Sequence, residues 1–207
     1  MKKYIVELIG TFFLVLTVGM TAVHAPGAGA MAPFAIGMVL AVMIFAGGPV
    51  SGGHYNPAVT LGCWIRGACP TADVLPYMGA QILGGVLAAL VAGYLTDDAV
   101  STMSLSMAPV LLVEFLFTFA LVFVVLCTAT AKFSEGNSYF GLAIGGTVMA
   151  GAYSVGSISG GAFNPAVAIG LVVMGAVCLS NIWLYLVACL AGGAVAGLLF
   201  KNVIVKD

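Results

Sequence analysis

The residues best suited to chemistry lie in a nine-residue phrase that the chain carries twice, as SGGHYNPAV at 51–59 and as SGGAFNPAV at 159–167. In each copy an asparagine stands where a helix cap is favoured, and a proline follows at the first helical position, where its missing N–H is harmless. The phrase therefore predicts a polar loop, a cap and a helix start, with uncharged carboxamides as hydrogen-bonding groups. The two triplets are Asn56, Pro57, Ala58, Asn164, Pro165 and Ala166.

Patterns for covalent or metal chemistry are missing from the sequence. Its five cysteines form no Cys-x-x-Cys pair, and no histidine lies near enough in sequence to suggest a zinc site. Ser101, Ser104 and Ser106 lack a Gly-x-Ser-x-Gly turn and a paired base, and no glycine-rich loop is arranged to bind phosphate. We therefore expect no enzyme, no metal and no cofactor.

Composition predicts an integral membrane protein. Of the 207 residues, 62% are hydrophobic and 6% are charged, whereas a soluble domain has about a quarter of its residues charged. The net charge of −1 offers no basic surface to nucleic acid phosphates. The lipid bilayer is the expected surrounding, and nucleic acid is excluded as a partner.

Six apolar runs are long enough to cross a hydrocarbon core of about 30 Å, which takes roughly 20 residues. Glu7 interrupts the first run, so we interpret that run as a retained span and not as a cleavable signal peptide. Two further helices, Pro57 to Arg66 and Pro165 to Met174, follow the triplets and cover only about half of the core. The predicted spans are Tyr4 to His24, Pro33 to Pro49, Val74 to Leu95, Pro109 to Lys132, Tyr139 to Ser157 and Ile182 to Phe200.

The duplication extends over the whole chain. Glu7 matches Glu114 at an offset of 107 residues, and the two asparagines of the triplets lie 108 residues apart. We predict a first repeat over 1–100 and a second over 108–207. Each repeat holds three spans, an odd number, so the second repeat begins on the opposite face of the membrane, as in many channels and transporters.

Inverted repeats bring the amino termini of the two half-helices together near the membrane midplane. Irregular backbone is tolerated at that depth only where it is buried in protein or lines water, so the two loops should line a wet cavity. Each helix terminus carries roughly +0.5 of an elementary charge, which opposes cations and relayed protons. Neutral solutes meet no such barrier.

The placement of charged residues predicts the orientation. With both termini in the cytoplasm, every basic residue falls on the cytoplasmic side, as the positive-inside rule requires, while Asp97 and Asp98 fall outside. We expect a multi-pass protein of the cell membrane, either plasma or inner. The basic residues are Lys2, Lys3, Arg66, Lys132, Lys201 and Lys206.

Six spans in inverted repeats, with two Asn-Pro-Ala triplets on half-helices, resemble the aquaporin, or major intrinsic protein, family over essentially the whole chain. The resemblance implies an all-α integral membrane protein with six transmembrane helices and two re-entrant half-helices. It also implies a homotetramer with one pore per subunit, which passes water and sometimes glycerol or other small uncharged molecules.

Members of this family narrow at a four-residue filter that usually includes an aromatic side chain and an arginine directly after the second triplet. Matching by distance from the asparagines gives Ile36, Ala152, Gly161 and Val167 in this sequence, so the arginine is absent. Compared with a filter that contains an aromatic side chain and an arginine, this set predicts a wider and more apolar ring. It also predicts a weaker barrier to protons or cations. Glycerol facilitators carry an aspartate where this chain has Ala168, and the filter resembles those of atypical members associated with neutral metalloid hydroxides such as arsenous acid.

Ionisable groups inside the membrane have two interpretations each. Glu7 and Glu114 could relay protons, or they could accept hydrogen bonds from the backbone of the two loops, as their counterparts do in the family. We favour the second role, that of structural carboxylates. His54 could act as a pH gate or pack within its loop, and His24 is expected to be solvated surface.

Three functions fit the pattern. A passive channel is favoured because the predicted midplane offers amides and backbone groups and no charged ion ligands. A coupled secondary transporter is the alternative, since inverted repeats with half-helices serve transporters as well. A non-conducting structural member of the family would carry the same spans.

Overall fold

The computed structural model describes residues 1–24, 26–96 and 99–204, and eight α-helices form within these ranges. Each is built from an apolar run that satisfies its own backbone hydrogen bonds, as the bilayer requires. The helices are α1 Lys2–Val18, α2 Ala32–Ser51, α3 Pro57–Arg66, α4 Thr71–Leu95, α5 Met107–Val125, α6 Phe140–Ser159, α7 Pro165–Val173 and α8 Ile182–Leu199.

Six helical segments of the described chain are long and apolar enough to cross a membrane, which confirms the predicted all-α membrane architecture. Several are longer than α1 to α8 alone because short π-helical or 3₁₀ turns extend them. The segments are Lys2–Val23, Ala28–Ser51, Thr71–Leu95, Met107–Thr130, Phe140–Ser159 and Leu179–Ile204.

The short helices α3 and α7 occupy the two positions predicted for half-helices. Asn56 and Asn164 cap them, each with its side-chain oxygen accepting the N–H two residues ahead, and a proline follows each cap. At its other end α3 stops at Gly67, whose φ of 92° breaks the helix.

The prediction of a solvated His24 is wrong. Its side chain is only 6% exposed, and no described residue gives its ring nitrogens a hydrogen bond. The first span continues past α1 as a π-helical turn, Gly19–Val23, and the His24 N–H donates to the Gly19 carbonyl at 2.9 Å. This bond holds the His24 backbone at the end of the helix.

Glycines allow matching close approaches in the two halves. A side chain at Gly84 would meet the Leu8 carbonyl, and one at Gly192 would meet the Phe115 carbonyl. Because these pairs occupy equivalent positions in the duplicated sequence, α4 packs on α1 as α8 packs on α5. Close backbone approach through small residues is the usual way in which helices associate in lipid.

Polar contacts group several chain segments at one end of the bundle, called here the Lys3 face. Lys3 and Tyr4 both donate to the Asp73 carboxylate, and Arg66 donates to Thr130 while its guanidinium lies over the Phe200 ring. The opposite end, the Met103 face, carries the connection between α4 and α5. Asp97, Asp98 and Lys206 lie outside the described residues.

We predict that Gly145→Ala destabilises the fold while Gly146→Ala does not. A Cβ at Gly145 on α6 would overlap the Gly37 carbonyl of α2 and lie 3.0 Å from the Ala41 Cβ, whereas a Cβ at Gly146 meets nothing within 4 Å. Overpacking of this kind costs about 1–3 kcal/mol. Thermal unfolding of the purified protein should show a lower midpoint for Gly145→Ala alone; equal midpoints would contradict the packing.

Candidate pore

The amino termini of α3 and α7 are joined by a reciprocal pair of hydrogen bonds. The Asn56 Nδ2 donates to the Phe163 carbonyl at 2.9 Å, and the Asn164 Nδ2 donates to the Tyr55 carbonyl at 2.9 Å. Each Oδ1 is used at the same time by the cap, accepting the N–H of Ala58 or Ala166. Each carboxamide therefore has one N–H left for a passing molecule.

Glu7 holds the loop before α3 through four hydrogen bonds. Its Oε1 accepts from the Ser51 hydroxyl at 2.7 Å and the His54 N–H at 3.0 Å. Its Oε2 accepts from the Tyr55 N–H at 2.7 Å and the Gln81 amide at 2.8 Å. A fully buried carboxylate is stable in lipid only when such donors surround it.

Glu114 holds the loop before α7 in the same way. It accepts from the Ser159 hydroxyl at 2.6 Å, the Ala162 N–H at 3.0 Å and the Phe163 N–H at 2.7 Å, and the Cys189 thiol lies 3.5 Å away. The oxygens of both membrane carboxylates therefore accept hydrogen bonds from the backbone of the loops. This geometry is expected of structural supports.

Tyr55 and Phe163 adopt left-handed backbone conformations, with φ of 48° and 47°. A side chain makes this region unfavourable by roughly 1–2 kcal/mol. The carboxylate bonds to both N–H groups and the asparagine bonds to both carbonyls hold the two residues there. This conformation directs the two carbonyls across the interface between the halves. No glycine occupies either position, so the conformation has no signal in the sequence.

A small central cavity lies between the two triplets, and a larger cavity lies at each face. The volume open to water-sized molecules is about 30 Å³ in this central cavity, against about 650 Å³ in the vestibule at the Lys3 face and 290 Å³ in the one at the Met103 face. Asn56 and Asn164 both line the central cavity. The smallest of these three cavities, called here the waist, therefore lies at the half-helix termini.

The four residues assigned to the filter by distance lie along the route from the waist to the Met103 face. Ile36 and Gly161 line both the central cavity and that vestibule. Val167 lines the central cavity, and Ala152 lines the vestibule. The assigned residues therefore come together, although not at a single level.

The wall of the central cavity is nearly two-fold symmetric in the duplicated sequence. Most lining residues occur with their repeat partners: Leu14 and Leu121, Val18 and Val125, Ile36 and Ile144, Leu40 and Val148, Gly53 and Gly161, Asn56 and Asn164, Val59 and Val167. The equivalent pair His54 and Ala162 differs most in chemistry. With Val167 in place of arginine, His54 is the only basic side chain among the described residues of this wall.

His54 belongs to a hydrogen-bond chain that sequence reasoning missed. Its Nδ1 lies 3.1 Å from the Thr60 Oγ1, which accepts from the Gln81 Nε2 at 3.0 Å, and Gln81 also donates to Glu7. Gln81 is an isolated amide side chain in an apolar span, and this contrast in the sequence could have identified it. The second half has Ala168 and Cys189 at the places of Thr60 and Gln81.

The cavity between the paired half-helices and the six spans are typical of a helical membrane channel. The chain matches the family described as Major intrinsic protein over residues 1–200. Over 207 residues it is 34% identical to the glycerol uptake facilitator protein-like 6 of Lactiplantibacillus plantarum, with 95% of each chain covered. Over 213 residues it is 35% identical to the aquaporin NIP1-1 of Oryza sativa subsp. japonica, covering 98% of this chain and 74% of the relative.

The fold also resembles the X-ray structure of the aquaglyceroporin from Plasmodium falciparum, with a TM-score of 0.81, 21% identity and coverage of 98% of this chain and 96% of that one. The chain belongs to the major intrinsic protein family. It is therefore a passive membrane channel for water or small solutes, and not an enzyme.

We predict that Glu7→Gln and Glu114→Gln lower the stability of the protein. Each glutamine would turn an NH₂ group towards donors that need an acceptor, leaving at least one buried N–H unpaired at about 1–3 kcal/mol. Thermal unfolding measures the loss, with Glu135→Gln, at an exposed position, as the matched control. Variants that keep their unfolding midpoint but lose pH-dependent flux would indicate a proton relay instead.

Proposed function

We propose that the chain conducts water and small uncharged solutes up to about the size of glycerol, with Asn56 and Asn164 as hydrogen-bond donors at the waist and with Ile36, Gly161 and Val167 as a wide, apolar filter. Ala152 continues the filter at the Met103 face. Neutral metalloid hydroxides belong to the same size and charge class. The observation behind the proposal is the central cavity. In its described wall, the only polar groups that are free to hydrogen-bond a solute are amide, carbonyl and imidazole groups.

Electrostatics support an uncharged cargo. The termini of α3 and α7 together place about one unit of positive charge at the waist. A cation entering there would also lose water without gaining an anionic ligand, because Glu7 and Glu114 already accept hydrogen bonds from the loops. The missing filter arginine makes this barrier smaller than in a relative that carries one.

A coupled transporter needs an ion or proton site at the midplane. The two membrane carboxylates are the natural candidates, yet each is fully buried and lies behind the loop that it supports. Their hydrogen bonds support a structural role and a passive mechanism. A non-conducting member of the family could have the same contacts. Measured water flow through vesicles that contain the protein distinguishes it from a passive channel.

We further propose a homotetramer in the cell membrane, with both termini in the cytoplasm and with repeats over 1–100 and 108–207. Lys3, Arg66 and Lys132 lie in segments joined by contacts at the Lys3 face, and Lys201 follows the Phe200 ring on which Arg66 packs. A basic face is normally the cytoplasmic one. The tetramer is proposed from the family alone.

We predict that Val167→Arg reduces glycerol permeation by about tenfold or more while water still passes, since misfits of methylene size in an apolar site already discriminate by about 10–200-fold. Light scattering from vesicles that contain the protein, challenged with sucrose and then with glycerol, measures both rates. Val167→Met adds length without charge and separates size from electrostatics. An unchanged glycerol-to-water ratio in both variants would locate the constriction elsewhere.

We predict that conduction by the wild-type protein is indifferent to an imposed pH gradient. A passive pore responds only to the gradient of the solute itself, whereas a proton-coupled transporter accumulates solute against it. Vesicles loaded at one pH and diluted into another, with radiolabelled glycerol outside, test this directly. Accumulation above equilibrium that collapses with a protonophore would contradict the proposal.

A further inference from the structure

The two faces of the pore differ in what fills the space beside a pair of equivalent glycines. Gly52 and Gly160 end α2 and α6 with φ of 90° and 83°. A Cβ on Gly52 would lie 3.2 Å from the His54 Nε2. The second loop has Ala162 at the place of His54 and so has no side chain long enough to fill the equivalent space.

Met103 fills that space from a different part of the chain. A Cβ on Gly160 would lie 2.8 Å from the Met103 Cε and 3.5 Å from its Sδ. The Met103 side chain is half-buried, and it lines the vestibule together with Ile36, Ala152 and Gly161. A flexible thioether from the connection between α4 and α5 thus occupies the niche that an imidazole occupies at the other face.

The backbone of this connection is fixed independently of the methionine side chain. The Met103 N–H donates to the Ala176 carbonyl at 2.9 Å, and the Thr102 hydroxyl donates to the Gly175 carbonyl at 2.9 Å. Both bonds attach the connection to the segment that follows α7. A change at the end of the Met103 side chain therefore leaves its attachment intact.

Resting on the proposed function, we propose that Met103 is a fifth residue of the solute filter, which narrows the vestibule at the Met103 face beside Gly160, where the second loop lacks a histidine. Its thioether adds apolar bulk and no hydrogen-bond donor. Apart from Ser101, the described residues that line the vestibule at that face are apolar or glycine, so this mouth discriminates among solutes mainly by size. On the Lys3 side, His54 adds a polar group to the wall of the central cavity.

The test compares glycerol and erythritol permeation, each divided by water permeation, in vesicles that contain the full chain. Met103→Ala should raise the erythritol-to-water ratio by about tenfold, since it removes several methylene-sized groups. Met103→Phe should lower the glycerol ratio while water still passes. The matched control is Met107→Ala, because Met107 is 58% exposed and starts the next helix.

A second arm tests the equivalence of the two niches. Ala162→His on the Met103→Ala background should return the erythritol ratio towards that of the wild type, because an imidazole would then fill the space beside Gly160. Thermal unfolding is measured on every variant, so the Phe variant carries the test if the Ala variant is unstable.

If the wild type conducts but Met103→Ala and Met103→Phe both leave the glycerol-to-water and erythritol-to-water ratios unchanged, the role of Met103 is overturned. The proposed function is not affected by that result. Wild-type vesicles that shrink no faster than empty liposomes would overturn the proposed function and this inference with it. A ratio raised equally by Met107→Ala would also overturn the inference, since the effect would not be specific to the niche.

Discussion

The structure depends on satisfying two stretches of irregular backbone at the depth of the hydrocarbon core. The loops before α3 and α7 cannot hydrogen-bond to lipid, so every exposed peptide group needs a partner from the protein or the pore. Glu7 and Glu114 supply acceptors for the N–H groups, and the asparagines supply donors for two carbonyls. The surrounding spans are positioned so that these four side chains reach the loops.

That requirement separates support from selection. The groups that hold the loops, two carboxylates, two capping amides and the tyrosine hydroxyls of Tyr77 and Tyr185 that donate to the carbonyls of Ser51 and Ser159, match between the halves. The residues that line the central cavity are less uniform, and the equivalent pair His54 and Ala162 is the clearest difference. Asn56 and Asn164 belong to both groups, but changes at the apolar residues of the wall leave the hydrogen bonds of the loops in place.

Much of the fold could be predicted from the sequence because a bilayer imposes simple rules. Length and hydropathy located the six spans, and the twice-written phrase located α3 and α7 with their caps. The left-handed conformations of Tyr55 and Phe163 could not be predicted, since no glycine marks them and they depend on tertiary hydrogen bonds. Burial of His24 and the position of Met103 likewise depend on how connections pack, for which spacing along the chain gives no signal.

The reciprocal bonds from Asn56 to Phe163 and from Asn164 to Tyr55 have a consequence for the origin of the chain. The asparagine of each half donates an N–H to a loop carbonyl of the other half, so neither half satisfies that carbonyl by itself. An ancestor of half the length could have made the same two bonds with a second copy of itself, related by a two-fold axis in the membrane plane. Fusion of two such copies would free each mouth of the pore to diverge, and the exchange of imidazole for thioether is the kind of divergence that a symmetric dimer could not have acquired.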